Sequence, residues 1–520
     1  MSMTAKFGHV YLVGAGPGDP GLITVRGLEC LQKADMIIYD RLVSLRLLDA
    51  SRTDATLLCV NDLAERHPDR WPVINARMIE AARSGLIVVR LKGGDPSIFA
   101  HLAEETSALR GAGISYEIVP GVTAALGAAA FSEIPLTHRG CASAVAFVTG
   151  HENPEKAASD IDWPALARFP GTLVLYMSLA RINGVVEKLQ NGGKAHDTPV
   201  IVIQNSTLGN QIELRTTLAN LPQAAQKLRS PCIIIVGPVV NLQLEPSWSS
   251  QRPLAGARIV VARPLEQGLE LARKLEALGA IAILAPAIVV EPPLDWEPVD
   301  RAIRELKQYD WVVFTSANGI QAFISRMKAI KCDVRSFGNA QIAAIGPVTA
   351  ETLTAYHLRA DLVPEEYVSE KLASELLERV KGKRVLLVRA DKGREILRES
   401  LSTVASVEQI AVYRQGENPE LAKTLTVSWN QQPPNFILLS SSNIARAILQ
   451  ALTSDQIAGI RSGQTKLVTI SGVTSSAVRE FDVPIAGEAK PYTIEAMLEV
   501  VTGLHQRNHL RQESTGKANG

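Results

Sequence analysis

Two glycine-rich loops lie within one hundred residues of each other, Val-Gly-Ala-Gly-Pro-Gly-Asp-Pro (Val13 to Pro20) and Arg-Leu-Lys-Gly-Gly-Asp-Pro (Arg90 to Pro96). Each follows a short apolar run that reads as a buried parallel strand, so the pair is expected to form a ligand cleft at strand ends. Gly14, Gly16 and Gly18 permit backbone angles closed to other residues and close approach of a flat ligand. They are not a dinucleotide fingerprint, because the last glycine of G-x-G-x-x-G would fall on Asp19, and Pro17 removes an N–H that would face a pyrophosphate. A nucleoside without phosphates fits better. Asp95, in Gly-Gly-Asp-Pro, could accept from ribose hydroxyls or an amine, or could simply hold a turn.

Further residues could do chemistry downstream. Tyr413 follows an apolar run and reads first as a packed strand-end tyrosine. Hydroxyls and backbone N–H groups at Thr315-Ser316, Gly346-Pro347 and Ser440-Ser441-Ser442 all follow strand-like runs. They could bind carboxylates at strand ends or could serve as helix caps. Arg263, Arg389 and Arg414 also follow strands and could supply positive charge.

These residues need elements to position them, and the chain supplies alternating Val/Ile/Leu runs and amphipathic stretches, the pattern of an α/β protein with mainly parallel sheets. Ile87–Leu91, Leu173–Met177, Val200–Gln204 and Ile233–Val236 are strand candidates. Glu245 to Pro253 breaks the pattern with prolines and serines and reads as a linker, after which Arg258–Ala262, Glu266–Leu278 and Ile281–Val290 restart it as strand, helix and strand. The polar tail from 506 to 520 is expected to be disordered. At 520 residues the chain exceeds what one core supports, and 46% hydrophobic residues suffice for several. Its 54 Lys+Arg and 53 Asp+Glu leave +1, so no global field favours nucleic acid or an anionic membrane, and an anionic substrate needs local charge. Five scattered cysteines with no C-x-x-C pair give no metal site and suggest a reducing compartment. With no signal-like start and no apolar stretch near ~20 residues, a cytoplasmic protein is expected.

The loops, together with Tyr39-Asp40-Arg41-Leu42-Val43, Pro120-Gly121-Val122-Thr123-Ala124-Ala125, Ile134-Pro135-Leu136-Thr137-His138-Arg139 and Val148-Thr149-Gly150-His151, resemble the tetrapyrrole methylase family across most of residues 8 to 242. Within it they resemble the uroporphyrinogen-III C-methyltransferases. The resemblance implies S-adenosylmethionine as methyl donor against Pro17, Gly93, Gly94, Asp95, Ile98, Thr123, Ala124 and Met177, a base at Asp40, and substrate contact at Arg139. It also allows a homodimer through this half.

From about Gly256 to Leu504 the chain resembles the uroporphyrinogen-III synthase family, through Val312–Gly319, Ala344–Ala350, Val363–Glu370, Val412-Tyr413-Arg414 and Pro491–Glu495. The expected architecture is therefore a two-domain α/β methylase fold over 1–245, a linker over 246–254, and a two-domain synthase-like α/β fold with parallel sheets over 255–505. In the last, 291–412 forms an inserted domain, with crossings near Ala287–Pro292 and Ala411–Gln415. The resemblance implies ring closure with loss of water, which needs a proton donor, and Tyr413 at the expected crossing is the candidate. The implied chemistry is joined, because the synthase product, uroporphyrinogen III, is the methylase substrate.

The chain departs from the methylase pattern where it matters. Counting without gaps from Asp40, Asn61-Asp62-Leu63 stand where the family has Gly-Lys-Arg, so a lysine becomes an acid. A polycarboxylate substrate should be repelled unless Lys92, His138 or Arg139 compensates. His101-Leu102-Ala103 replace Arg-Gly-Gly, and Ser206 replaces a glycine. Three readings follow: a two-enzyme fusion, a methylase acting on a later corrinoid precursor, or a degenerate first half that only holds donor or product.

Overall fold

The computed structural model describes residues 7–52, 54–64, 71–150, 160–242, 246–392 and 395–516, the side chains of 64 and 508–516 excepted. His151 and Glu245 lie outside them. The chain divides into two compact units, Met1–Arg258 with Lys274–Ile281 and Thr502–Gly520, and Ile259–Arg273 with Ala282–Val501.

In the first unit, β1 (His9–Gly14), β2 (Met36–Tyr39), β3 (Thr56–Cys59), β4 (Ile87–Lys92) and β5 (Ser115–Val119) form a sheet in the order β3-β2-β4-β1-β5. All its pairings are parallel, so the loops leaving β1, β2, β4 and β5 emerge at one edge. Val10, Leu12, Val88 and Val89 are fully buried, since helices cover both faces and leave no side for polar alternation.

A second sheet contains β6 (Val145–Thr149), β7 (Thr172–Tyr176), β8 (Pro199–Gln204), β9 (Ile212–Thr217) and β10 (Cys232–Val236), ordered β6-β7-β10-β8-β9. The expected strands at 173–177, 200–204 and 233–236 are here, but β10 runs antiparallel to both β7 and β8, so this sheet is mixed rather than mainly parallel. A continuous apolar run reports burial on both faces and carries no information on direction.

The stretch read as a linker is tied down. Ser249 Oγ donates to the Phe131 carbonyl at 2.7 Å, Trp248 Nε1 to the Ala130 carbonyl at 3.0 Å, and Ser247 Oγ to Glu213 at 2.9 Å. Ser247 and Ser249 are buried, their hydroxyls satisfying carbonyl and carboxylate acceptors rather than water. Through residue 516 the tail departs from the expected disorder, because the helix from Ile494 continues to Gly516 through residues that mostly favour helix; residues 517–520 lie outside the described ones.

The second unit is built on two sheets. β11 (Arg258–Val261), β12 (Ile281–Leu284), β18 (Phe436–Leu439), β19 (Lys466–Thr469) and β20 (Gly487–Glu488) are ordered β12-β11-β18-β19-β20. Between β12 and β18 the chain forms β13 (Ile288–Glu291), β14 (Trp311–Phe314), β15 (Gln341–Ala344), β16 (Arg384–Ala390) and β17 (Ser406–Glu417), ordered β13-β17-β16-β14-β15. This second sheet is parallel apart from the β13/β17 pair, whose register runs from Ile288↔Glu417 to Glu291↔Arg414. The strands of the inserted sheet thus span 288–417 rather than 291–412. The crossing expected at Ala411–Gln415 lies after Glu417, where Asn418 Nδ2 donates to the Pro286 carbonyl at 2.8 Å and fastens one crossing to the other. Among the described residues no helix is long and apolar enough to cross a membrane.

Candidate functional site

Two of the expected loops are locked backbone to backbone, and a third packs against them. Gly94 N donates to Gly16 O at 2.8 Å, Gly16 N returns a bond to Gly94 O at 3.2 Å, and Ala15 N donates to Lys92 O at 2.8 Å. Gly121 completes the contact, because a Cβ there would lie 2.3 Å from Gly94 O and 2.8 Å from Gly14 Cα. Asp95 fastens this junction, its Oδ2 accepting from Gly121 N at 2.9 Å and its Oδ1 from Ser97 N at 2.7 Å. Its turn role is therefore real, and each oxygen retains a lone pair for a ligand.

The other expected donor residues gather at this junction. Gly94 sits 3.7 Å, measured from a Cβ built on it, from Thr123 Cα and Ala124 N, while Pro17 packs against Gly127 on the helix Ala124–Phe131. Ile98 and Ala124 pack on one apolar cluster with Tyr176, whose neighbour Met177 is exposed in a left-handed conformation, φ 51°. Tyr176 holds the far side: its hydroxyl meets Thr123 Oγ1 at 2.8 Å and accepts from Ala125 N at 3.0 Å, and burial pushes its pKa up. The loop after β8 enters as well, Thr207 Oγ1 accepting from Asp19 N at 2.9 Å. Beside it Ser206 is buried and its Oγ has no hydrogen-bond partner. A half-buried glycine surface with an orphaned hydroxyl next to it fits a nucleoside-bearing donor.

Asp40 stands at this junction through β2. Its N donates to Leu91 O at 3.1 Å, and Leu42 Cβ lies 3.9 Å from where a Cβ on Gly93 would be. Its carboxylate receives Arg90 Nη2 at 2.5 Å. Arg90, fully buried, also donates to Glu105, and Lys92 is ion-paired with the same Glu105. Glu105 carried no sequence signal of its own, although Arg90 and Lys92 lay in the quoted loop.

The departures keep their sign. Asp62 is exposed in the first turn of the helix Val60–Ala64, whose strand β3 pairs with β2 at Tyr39↔Cys59. Burial raises the Tyr39 pKa, with Cys59 and Asp62 adding to it. Lys92 is only 1% exposed, and burial pushes its pKa down against the pull of Glu105, so it offers no free cation there. Arg139 is exposed in a tight turn closed by His138 and Ala142. His101 opens the helix Leu102–Gly111 with φ 53° and stacks on Trp71 at 4.2 Å between centroids.

In the second unit the hydroxyls occur where strands turn into helices. Ser316 caps the helix Ala317–Ala329, accepting from Gly319 N at 3.0 Å, and Ser441 caps Ser442–Ala451 by accepting from Ile444 N at 3.3 Å. The capping reading therefore holds for both, and Gly346 opens Pro347–Thr354 without a side chain. Tyr413 meets Ser316: it is 4% exposed and its hydroxyl lies 3.0 Å from Ser316 Oγ. It lies within β17, short of the crossing, because the antiparallel partner β13 carries that strand on to Glu417. Ser440 and Ser441 stand at the matching end of β18 in the other sheet. The candidate cations are largely spent: Arg414 pairs with Glu291 at 2.7 Å, and Arg389 with Glu395 at 3.3 Å. Arg263 donates to Gln267 Oε1 at 2.7 Å, and Gln267 Nε2 donates on to Asn318 at 3.1 Å. Among the described residues no cluster of three or more His, Cys, Asp or Glu could hold a metal.

Comparison with known proteins matches this division. The family described as tetrapyrrole (corrin/porphyrin) methylases matches residues 9–222, and that of uroporphyrinogen-III synthase HemD matches residues 270–499. A porphyrin biosynthesis protein HemD of Ruminiclostridium josui is 32% identical over 501 residues, covering 95% of this chain and 97% of its own. A uroporphyrinogen-III C-methyltransferase of Bacillus subtilis is 40% identical over 336 residues, 64% of this chain and 68% of its own. The solved uroporphyrin-III C-methyl transferase of Thermus thermophilus complexed with S-adenyl homocysteine is 33% identical, covering 45% of this chain and 100% of its own at a TM-score of 0.40. The chain belongs to the tetrapyrrole methylases through its first half and to the uroporphyrinogen-III synthases through its second, a fusion of two enzyme families of tetrapyrrole biosynthesis.

Proposed function

We propose that the second half closes hydroxymethylbilane to uroporphyrinogen III with loss of water, and that the first half methylates that product twice to precorrin-2. The observation that carries this reading is the junction of Gly16, Gly94 and Gly121 with Asp40 beside it, in a chain whose other half belongs to the family making the methylase substrate. Pro17, Gly93, Gly94, Asp95, Ile98, Thr123, Ala124, Met177 and Ser206 would hold S-adenosylmethionine, whose sulfonium supplies an activated methyl group. The ring carbon receiving it is electron-rich, so the site's task is alignment and removal of a proton afterwards. Asp40 takes that proton, and the C–H electron pair returns to the ring. In the other half, Tyr413 hands a proton to the departing hydroxyl, which leaves as water.

A second reading, in which the first half retains the donor or the product without methylating, is favoured by Asp62, which places negative charge where a polycarboxylate must approach. Absorbance and mass of the product from hydroxymethylbilane, with and without S-adenosylmethionine, decide. A doubly methylated product only with the donor supports the fusion of two activities. Uroporphyrinogen III under both conditions, from a chain that still binds the donor, supports the retaining module. A methylated product only from a later corrinoid precursor would reassign the substrate.

The junction itself can be tested by Gly121→Ala. Its Cβ would meet Gly94 O at 2.3 Å, below any real contact, so the loops must part. We expect affinity for S-adenosylmethionine, measured by isothermal titration, to fall at least ~10-fold, or about 1.4 kcal/mol. Wild-type affinity would show that the junction does not form the donor site.

A further inference from the structure

Four charges are gathered under the methylase junction. Arg90 and Lys92, two residues apart on β4 and so on one face, are 0% and 1% exposed, and Glu105 on the helix Leu102–Gly111 is 0% exposed. Arg90 Nε donates to Glu105 Oε1 at 3.1 Å, its Nη1 to the carbonyls of Ile38 and Leu91 at 3.3 and 3.2 Å, and its Nη2 to Asp40 Oδ1. Lys92 closes the chain on Glu105 Oε2. Two cations and two carboxylates balance. A well-packed apolar set often serves a core as well as a buried ionic one, so stability alone is a weak reason for this arrangement. Asp40 is the member that reaches the surface, its side chain 33% exposed, and among the described residues its Oδ2 has no hydrogen-bond partner.

We propose that Arg90, oriented by Glu105 with Lys92 as its counter-charge, is a positioning residue for the methylation step. Its Nη2 engages Oδ1 of Asp40 and leaves Oδ2 as the oxygen that meets the proton. A guanidinium anchored through four hydrogen bonds allows one orientation, whereas an ammonium is a point charge that fixes none. This inference rests on the reading of Asp40 as the base.

The test is a double-mutant cycle on the full chain, given uroporphyrinogen III and S-adenosylmethionine and read as kcat and KM for methylation. Arg90→Lys keeps the charge and loses the fork. We expect kcat to fall about 10–100-fold, as for a misplaced catalytic group, with both KM values nearly unchanged. In an Asp40→Ala background the same change should cost nothing further, because there is no carboxylate left to position. Should the Arg90→Lys chain lose its thermal transition, Glu105→Gln, which keeps size and removes the orienting charge, takes its place in the cycle. An equal fall in both backgrounds, or an unchanged kcat in the wild-type background, would overturn the positioning role while leaving Asp40 as base. Full methylation by Asp40→Ala alone would remove the base assignment and the proposal with it.

Discussion

Asp40→Ala should slow methylation of uroporphyrinogen III by about 10²–10⁴-fold, the range for removing a positioned acid or base, while formation of uroporphyrinogen III from hydroxymethylbilane stays at the wild-type rate. The asymmetry follows from placement, since Asp40 leaves β2 in the first unit and the candidate synthase residues lie in the second. The fold should survive. Arg90 keeps Glu105 and the carbonyls of Ile38 and Leu91, but two buried cations are then left with one carboxylate, so the expected cost is about 3–5 kcal/mol, as for a buried ion pair that loses one partner. In a unit of this size that lowers Tm by roughly ten degrees, which a thermal melt of the variant reads directly. Affinity for S-adenosylmethionine should be unchanged, because the Gly16–Gly94–Gly121 junction does not depend on the Asp40 side chain. Single-turnover methylation, isomer-resolved product analysis and donor titration on one preparation check all three statements. Loss of both reactions together would mean that the substitution acts through folding and says nothing of a base.

The glycine junction was legible because a Cβ at 14 or 121 would come within 2.3–2.8 Å of neighbouring backbone and Gly94 sits at φ 69°, so the constraint is written locally as glycine at all three positions. Helix caps after strands were legible in the same way, as at Ser316 and Ser441. The buried network was not. Within an apolar strand pattern Arg90 and Lys92 look like a strand running out to the surface, and what keeps them inside is Glu105, on a later helix whose acids read as a solvated face. Tyr176 escaped for a related reason, since its partner Thr123 lies on an element brought close only by the tertiary fold. The segment around Ser249 shows the converse limit. Its serines and prolines signal the absence of helix and strand, which composition reports well, but whether such a segment is loose depends on acceptors elsewhere, here the Phe131 carbonyl at the end of a distant helix.

Tyr413→Phe should slow ring closure by up to about 10²-fold while leaving methylation of supplied uroporphyrinogen III untouched. The ring is packed in the core of the inserted sheet, and phenylalanine preserves that packing. What is lost is one hydrogen bond to Ser316 Oγ, worth about 1 kcal/mol, and Ser316 still accepts from Gly319 N and caps its helix. A stability effect that small cannot account for a hundredfold fall in rate, so a large change reports on proton transfer. The effect has a ceiling because the hydroxymethyl group is expelled with help from its own pyrrole nitrogen, leaving the enzyme to fold the bilane and donate to the departing hydroxyl. Ser316→Ala supplies the contrast, since it removes the cap and the partner of Tyr413 but not the phenol. If the phenol is the donor, Ser316→Ala should cost more stability and less rate than Tyr413→Phe, measured as production of the III isomer against the I isomer that forms without enzyme. The reverse order would move the donor role to Ser316, and full activity in Tyr413→Phe would leave the tyrosine as the partner of a helix cap.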